Sequence, residues 1–395
     1  MFDIVGKYTK ASIFADTYEP EMINQIYGLC NHPIFEGSRV SIMPDCHAGA
    51  GCVVGFTAEL PKNGEIIPNI IGVDISCGMY VVKLKDCPTL NDYEKLDKVI
   101  RQNVPSGFNG NSKISKLLPD DVRERIENVC WNVLGEKAND HLLKVGSLGG
   151  GNHFISIEKG ETGTYLIIHS GSRNFGLKVC KHFQDIAKQK HPFGELSYID
   201  GEDARNYLEC SKVCAEYAHW SRKIMAETIL VGMRWRAEET FETLHNYIGE
   251  DNIIRKGAIS CKDGEKVLIP LNMRDGSLIC IGKGVSEWNN SGPHGAGRIM
   301  SRSKAKENVS MEEYKESMKG IWSSCVGTST IDESPMVYKD ANEIKTLVAD
   351  TATLVDHIKP LYNFKANDEV TWKEKKMYIK EQKRLQKEMM EDIND

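Results

Sequence analysis

Several common signatures are missing from this sequence. No apolar run approaches the ~20 residues a membrane-spanning helix needs. The opening MFDIVGKYTKASIFADTYEP has no apolar core of the kind that marks a secretory leader. The 12 cysteines include no CxxC pair, which argues against a zinc ribbon or a thioredoxin-type redox motif. Scattered as they are, most read as small buried hydrophobes in a reducing compartment. A cytoplasmic protein without a membrane association is expected. There is no internal repeat and no long low-complexity linker. Nor is there a basic excess: the formal net charge of -6 argues against a general nucleic-acid coat, while leaving room for a local basic groove.

What is present is ordinary in bulk. The 395 residues, 41% hydrophobic and 27% charged, suit one large domain or two ordinary ones of a globular protein. VSIMPD, CVVGFTAEL, MYVVKLK, HFISIE, TYLIIHS, KVLIPL and SLICIG are short, β-branched runs bounded by Gly, Pro or Asp, and they predict strands. LKVCKHFQDIAKQK, from Leu177, predicts a helix. The stretch from Asp203 to Leu244 has helical periodicity and few breakers, and predicts one long helix or two consecutive ones. Asp350 to Ile358 is also expected to be helical. Asn103 to Asp121 reads as a loop. Strands and helices mix without regular alternation, so the expected class is α+β, a single large domain of mixed β-sheets flanked by helices. From about Asp368 the chain is mostly charged and reads as a solvated helical extension.

The chemistry lies in loops beside glycine and at strand ends. PHGAGRIMSRSKAK sets His294 before Gly295, Ala296 and Gly297, with Arg298 behind. Glycines admit close approach of a ligand, and arginine suits bidentate phosphate recognition. IGVDISCGMY places Asp74 and Cys77 three apart in one turn, a carboxylate and a thiol able to share an ion. VGSLGGGNHF leads a glycine loop into Asn152 and His153. It is not a Walker A loop, because no Gly-Lys-Ser/Thr follows. YLIIHSGSR delivers His169 at a strand end with Arg173 four residues later. TLHNYIG adds His245, which alone reads as a helix-end charge. Together Asp74, Cys77, His153, His169 and His245 offer five N, O and S ligands, enough for two ions if Cys77 bridges. Two ions beside arginines point to phosphoryl chemistry. On these residues alone His294 is either a sixth ligand or a nucleophile. Thiolate and imidazole favour Zn²⁺, carboxylate and phosphate Mn²⁺.

The motifs MPDCHAGAG, GVDISCG, GSLGGGNHF, HSGSR, HNY, RKGA, HGAGR, DESP with YKD, and KPLYNFK follow one another in this order, from Met43 to Lys365. In this the chain resembles the RtcB family of RNA ligases. The resemblance implies an RtcB-like catalytic domain over 1–366 and a charged extension over 367–395. It implies a GTP- and Mn²⁺-dependent enzyme of RNA repair or tRNA splicing. Such an enzyme joins RNA ends bearing a 2′,3′-cyclic phosphate or 3′-phosphate to 5′-hydroxyl ends. Carried over by position, Asp74, Cys77 and His153 hold one Mn²⁺, and Cys77, His169 and His245 the other. His294 becomes the nucleophile that carries GMP. Asn152, Ser277, the Gly295–Gly297 loop, Tyr338 and Lys365 become nucleotide contacts. Arg173 and Arg298 are candidates for holding RNA phosphates. Several positions depart: the family's glutamate two residues after GNHF is Ser156 here, with Glu158 on its face if the segment is a strand, and PLNMRDGS, Pro270 to Ser277, differs from the common PGSMG form and sets Asn272 where a serine is usual.

Two other readings use the same residues. One is a metal-dependent phosphodiesterase or decapping enzyme on RNA ends. The other is a metal-stabilised module that binds RNA ends without turnover. The physiological RNA, the oligomeric state and any helper protein that stimulates guanylylation are not written in these motifs.

Overall fold

All seven apolar runs become strands in the computed structural model, which describes residues 1–16 and 18–366. Seven strands form one antiparallel sheet. Its order is Lys266–Asn272, Gly276–Gly282, Ala352–Lys365, Phe154–Lys159, Thr164–Ser170, Gly78–Leu84 and Ala237–Leu244. The Thr164–Ser170 strand, TYLIIHS, is buried at every position. A continuous β-branched run of this kind suits a strand covered on both faces. A second, six-stranded sheet is antiparallel except where Lys10–Ile13 runs parallel to Val40–His47. A short pair, Ala258–Ser260 with Ser291–Pro293, leads into His294.

Helices cover these sheets. The Gly201–Met233 helix buries one flank against the seven-stranded sheet through Met225, Ala226, Ile229 and Leu230, and another against the Arg173–Lys190 helix through Tyr207 and Cys214. Eleven-residue Pro20–Cys30 closes the six-stranded sheet through Met22, Ile26 and Leu29. The expected α+β class is what forms, with mixed sheets and flanking helices in one domain. Among the described residues, no helix is long and apolar enough to cross a membrane. The cysteines are unpaired, and all but Cys87 are buried. The charged 367–395 segment lies outside the described residues.

Two expectations fail, both for the same reason. The stretch from Asp203 is helical only to Met233; Arg234 turns the chain with φ 59°, and Ala237–Leu244 is a strand. Asp350 to Ile358 is not a helix either: Ala352–Lys365 is a strand of 14 residues. In each case ladder pairing with neighbouring strands overrides a local helical preference. The loop expected from Asn103 forms between the Leu90–Asn103 and Asp120–Val129 helices. The helix expected from Leu177 starts earlier, at Arg173.

Candidate functional site

The seven-stranded sheet explains how residues far apart in sequence meet. Four consecutive strands of it are Phe154–Lys159, Thr164–Ser170, Gly78–Leu84 and Ala237–Leu244. They are antiparallel, so one edge of the sheet meets a start, an end, a start and an end. At that edge stand His153 before the first strand, His169 near the end of the second, Cys77 before the third and His245 after the fourth. His245 therefore follows a strand, not a helix, and the expectation of a helix-end charge fails. Backbone bonds lock the edge: the His245 N–H donates to the Cys77 carbonyl at 2.8 Å, and the Ser76 N–H to the Asn246 carbonyl at 2.9 Å. Ser76 itself adopts φ 55°, a left-handed turn that presents Asp74 and Cys77 to the same space. Gly171 is required beside it, because a Cβ there would lie 2.2 Å from Asp74 Oδ1.

Two triads result. Asp74, Cys77 and His153 form one, and Cys77, His169 and His245 the other, with ligand atoms within 4.8 Å of one another in each. The Cys77 Sγ lies 3.4 Å from His153 Nε2 and 3.3 Å from His169 Nε2. Carbonyls set the tautomers. His153 Nδ1 donates to Leu148 at 2.8 Å and His169 Nδ1 to Asn152 at 3.2 Å. Each Nε2 is left facing Cys77, and that of His153 also meets Asp74 Oδ2 at 3.0 Å, the arrangement in which an outer hydrogen bond orients a metal-binding imidazole. Asp74 Oδ1 and His245 Nδ1 are buried without a hydrogen-bond partner. Burial pushes His169 and His245 well below the usual imidazole range, so both rings are neutral and have lone pairs that could bind a metal. Burial and the Asp74 charge push the Cys77 thiol up, with Arg222 opposing them. A thiol so placed ionises when a cation shares the site. The donor set fits two divalent ions bridged by one sulfur.

Arg222 supports this edge from beneath. Its guanidinium is fully buried and donates to the carbonyls of Ser76 at 3.0 Å and Ser170 at 2.8 Å, each next to a candidate ligand. Its Nε donates to Glu242 at 3.0 Å.

The triads open into a cavity of about 340 Å³, the size of a small-ligand site. His294 lines it outside both triads, its ring 5.0 Å from that of His245. Asp45, fully buried, accepts from His294 Nδ1 at 2.6 Å and from the backbone N–H groups of His294 and Gly295 at 3.1 and 3.2 Å. The ring proton is thereby fixed on Nδ1 and the Nε2 lone pair is free to react. Gly297 turns with φ 74°, and a Cβ there would meet the Asp45 carbonyl at 2.3 Å. Asn152, Ser277, Gly295, Ala296, Gly297, Arg298, Tyr338 and Lys365 all line the same cavity.

Glu333, almost fully buried, organises the far wall. It accepts from Lys365 Nζ at 2.8 Å and the Tyr338 hydroxyl at 2.7 Å, and pairs with Arg302 at 2.9 Å and Arg298 at 3.2 Å. Burial opposes its charge, but Lys365 and Arg302 outweigh burial and hold the carboxyl at about 2. Arg298 also donates to the Asp332 carbonyl at 2.7 Å and lies over the Tyr338 ring. Arg173 is not brought to the cavity wall. Its guanidinium packs under Gly149 and donates to the Gly107 carbonyl at 2.6 Å, which anchors the glycine loop before His153. The motifs contained Asp45 and Glu333, yet neither stood out. Asp45 lies between Pro44 and Cys46, and Glu333 between Asp332 and Ser334, and neither setting marks a site by itself. Arg222 gives no signal within its long helix.

A family model described as tRNA-splicing ligase RtcB matches residues 25–366. The RNA-splicing ligase RtcB of Escherichia coli K12 is 29% identical over 362 residues, covering 80% of this chain and 87% of that protein. RNA-splicing ligase RtcB1 of a second Escherichia coli strain is 30% identical over 360 residues, with 80% and 87% covered. The tRNA-splicing ligase RtcB of Aeropyrum pernix is 27% identical over 433 residues, with 85% and 90% covered. With a match across this much of its length, around a site built from the same motifs, the chain belongs to the RtcB family of tRNA-splicing ligases.

Proposed function

We propose that residues 1–366 act as a GTP- and Mn²⁺-dependent RNA ligase that joins 2′,3′-cyclic-phosphate or 3′-phosphate ends to 5′-hydroxyl ends. One observation carries this reading. Both metal triads are complete without His294, and His294 stands beside them with its Nδ1 proton held by a buried carboxylate. A histidine that is not needed as a ligand, with its reactive nitrogen selected by Asp45, is arranged as a nucleophile.

His294 Nε2 attacks the α-phosphorus of GTP, the bond to pyrophosphate breaks, and a phosphoramidate to GMP forms. Asp74, Cys77 and His153, and Cys77, His169 and His245, would hold Mn²⁺, which would supply charge neutralisation at the phosphates. Asp45 keeps the ring aligned and stabilises the positive charge it gains. An RNA 3′-phosphate then attacks the bound GMP and frees the histidine, giving an RNA 3′-end joined to guanosine through a diphosphate. The 5′-hydroxyl of the second RNA attacks the RNA-side phosphorus and GMP leaves. A cyclic phosphate is first opened by water to the 3′-phosphate. Arg298 and Arg302, anchored on Glu333, give that wall of the cavity cationic charge for RNA phosphate. Arg173 acts one step away, by bracing the glycine loop.

Incubation with α-labelled GTP and Mn²⁺ tests the reading. Label should remain on the denatured protein, map to the peptide holding His294, and vanish in His294→Ala. An unlabelled wild-type protein that cleaves cyclic-phosphate RNA ends would favour the phosphodiesterase alternative.

A further inference from the structure

A further group of metal-binding side chains lies in the helical layer. The Asp120–Val129 helix runs into a π-helical turn, Cys130–Leu134, which ends at Gly135 with φ 66°. Turns of this kind are rare and are frequent at functional sites. This one folds the chain back on itself, and the Glu136 N–H donates to the Cys130 carbonyl at 3.0 Å. The next helix, Asn139–Lys144, supplies His141. Its backbone is held by the Tyr217 hydroxyl, which donates to the His141 carbonyl at 3.0 Å. Cys130, Glu136 and His141 each bring one ligand atom within 4.8 Å of the other two. None of the three lines the cavity that holds His294.

The group is short of one partner. His141 Nε2 donates to Glu136 Oε1 at 2.7 Å, while His141 Nδ1 is buried without a partner. Cys130 is 0% exposed and His141 2%. Buried polar atoms are normally paired, so an imidazole paired at one nitrogen only has an unmet bond. Lys178 holds the other oxygen of Glu136, Oε2. A carboxylate anchored through one oxygen presents the second in a fixed place, as outer contacts do for metal ligands. Glu136 also lines a second cavity, of about 540 Å³, with Arg123, Trp131 and Asn139, which gives an ion a way in.

We propose that Cys130, Glu136 and His141 form a third metal site, which takes Zn²⁺. One sulfur, one imidazole nitrogen and one carboxylate oxygen suit tetrahedral zinc, with water from the second cavity in the fourth position. Thiolate and imidazole disfavour Mn²⁺, the weakest binder of the divalent series. The ion replaces the Cys130 thiol proton, which passes to solvent. Its role is structural. It ties the π-helical turn to the helix that leads into the glycine loop before His153, and it touches no reacting atom.

Cys77 is the only sulfur of the two triads, so in Cys77→Ala a metal–thiolate signal reports the third site. The full-length variant, stripped with chelator, is titrated with Co²⁺ as a coloured stand-in for Zn²⁺. A thiolate-to-cobalt charge-transfer band should appear and saturate at one ion. Zn²⁺ should abolish it, and the same concentration of Mn²⁺ should not. Adding Cys130→Ser should remove the band. Adding Glu136→Gln instead should weaken Zn²⁺ binding about 10- to 100-fold by calorimetry. Circular dichroism establishes that the variants are folded. A second count needs no change at Cys77. Wild-type protein dialysed against Mn²⁺ and Zn²⁺ should retain three ions by mass spectrometry, and Cys130→Ser two. Equal counts in those two proteins, no band in folded Cys77→Ala, or an equal band after Cys130→Ser overturns the proposal.

Discussion

Replacing Asp45 by asparagine isolates the group that prepares His294. The substitution keeps shape and removes charge. In the wild type one oxygen, Oδ2, accepts three N–H groups: the ring Nδ1 at 2.6 Å and two backbone donors at 3.1 and 3.2 Å. An amide oxygen still accepts the backbone donors, but the bond to the ring loses its ionic partner. A hydrogen bond to a charged group contributes about 1.5–3 kcal/mol. At about 1.36 kcal/mol per decade, the guanylylation rate should fall about 10- to 150-fold. Single-turnover labelling with α-labelled GTP at saturating Mn²⁺ measures the rate. Mn²⁺ affinity, measured by calorimetry, should stay near wild type because Asp45 belongs to neither triad. A labelling rate within threefold of wild type would refute the role given to this carboxylate. So would a parallel loss of metal binding.

Further outcomes follow from the same geometry. Cys77→Ala removes the atom both triads share, so metal content by mass spectrometry should fall by two ions; a fall of only one would show that the triads are independent. Arg222→Lys keeps a charge but loses the fork that holds the Ser76 and Ser170 carbonyls, and Mn²⁺ affinity should drop about 10-fold with the circular dichroism unchanged. Glu333→Ala strands the buried Lys365 cation and should cost about 3–5 kcal/mol in urea unfolding; a loss under 1 kcal/mol would argue that Lys365 finds another partner. Burial raises the Glu158 carboxyl from an ordinary 4.5 to about 7, against the Ser156 and Ser277 hydroxyls and the Lys359 charge. Between those values the folded state holds the extra proton, so this group's contribution to stability falls as pH rises through about 7. Glu158→Gln removes the effect. Relative to wild type the variant should gain up to about 3 kcal/mol between pH 4.5 and 8, and a pH-independent difference would contradict the assignment.

The seven β-branched runs announced their strands because their pattern is local, and because both faces of the central ones are buried. The segments that misled did so for lack of that signal. AEETFETL is an exposed edge strand whose charges look helical, and its state is decided by the partner Gly78–Leu84. Ala352–Lys365 is extended because strands flank it on both sides. The site was legible where chemistry is concentrated in short motifs: Asp74 with Cys77, Asn152 with His153, and His294 among glycines. It was not legible where a residue matters through a distant contact. Asp45 and His294 are 249 positions apart, Arg222 acts through carbonyls of two other elements, and Arg173 turned from the cavity to the glycine loop.

By itself, then, the amino-acid sequence determined that seven β-branched runs extend, which side chains carry chemistry suited to metal binding or reaction, and the family they spell out. The tertiary structure alone decided that four antiparallel strands bring His153, His169, Cys77 and His245 to one edge. It also decided that Asp45 fixes the His294 tautomer and that Glu333 gathers the cations. The physical reason is one of range. Propensity and ligand chemistry belong to a few neighbouring residues, whereas strand order, register and burial are properties of the whole packed chain.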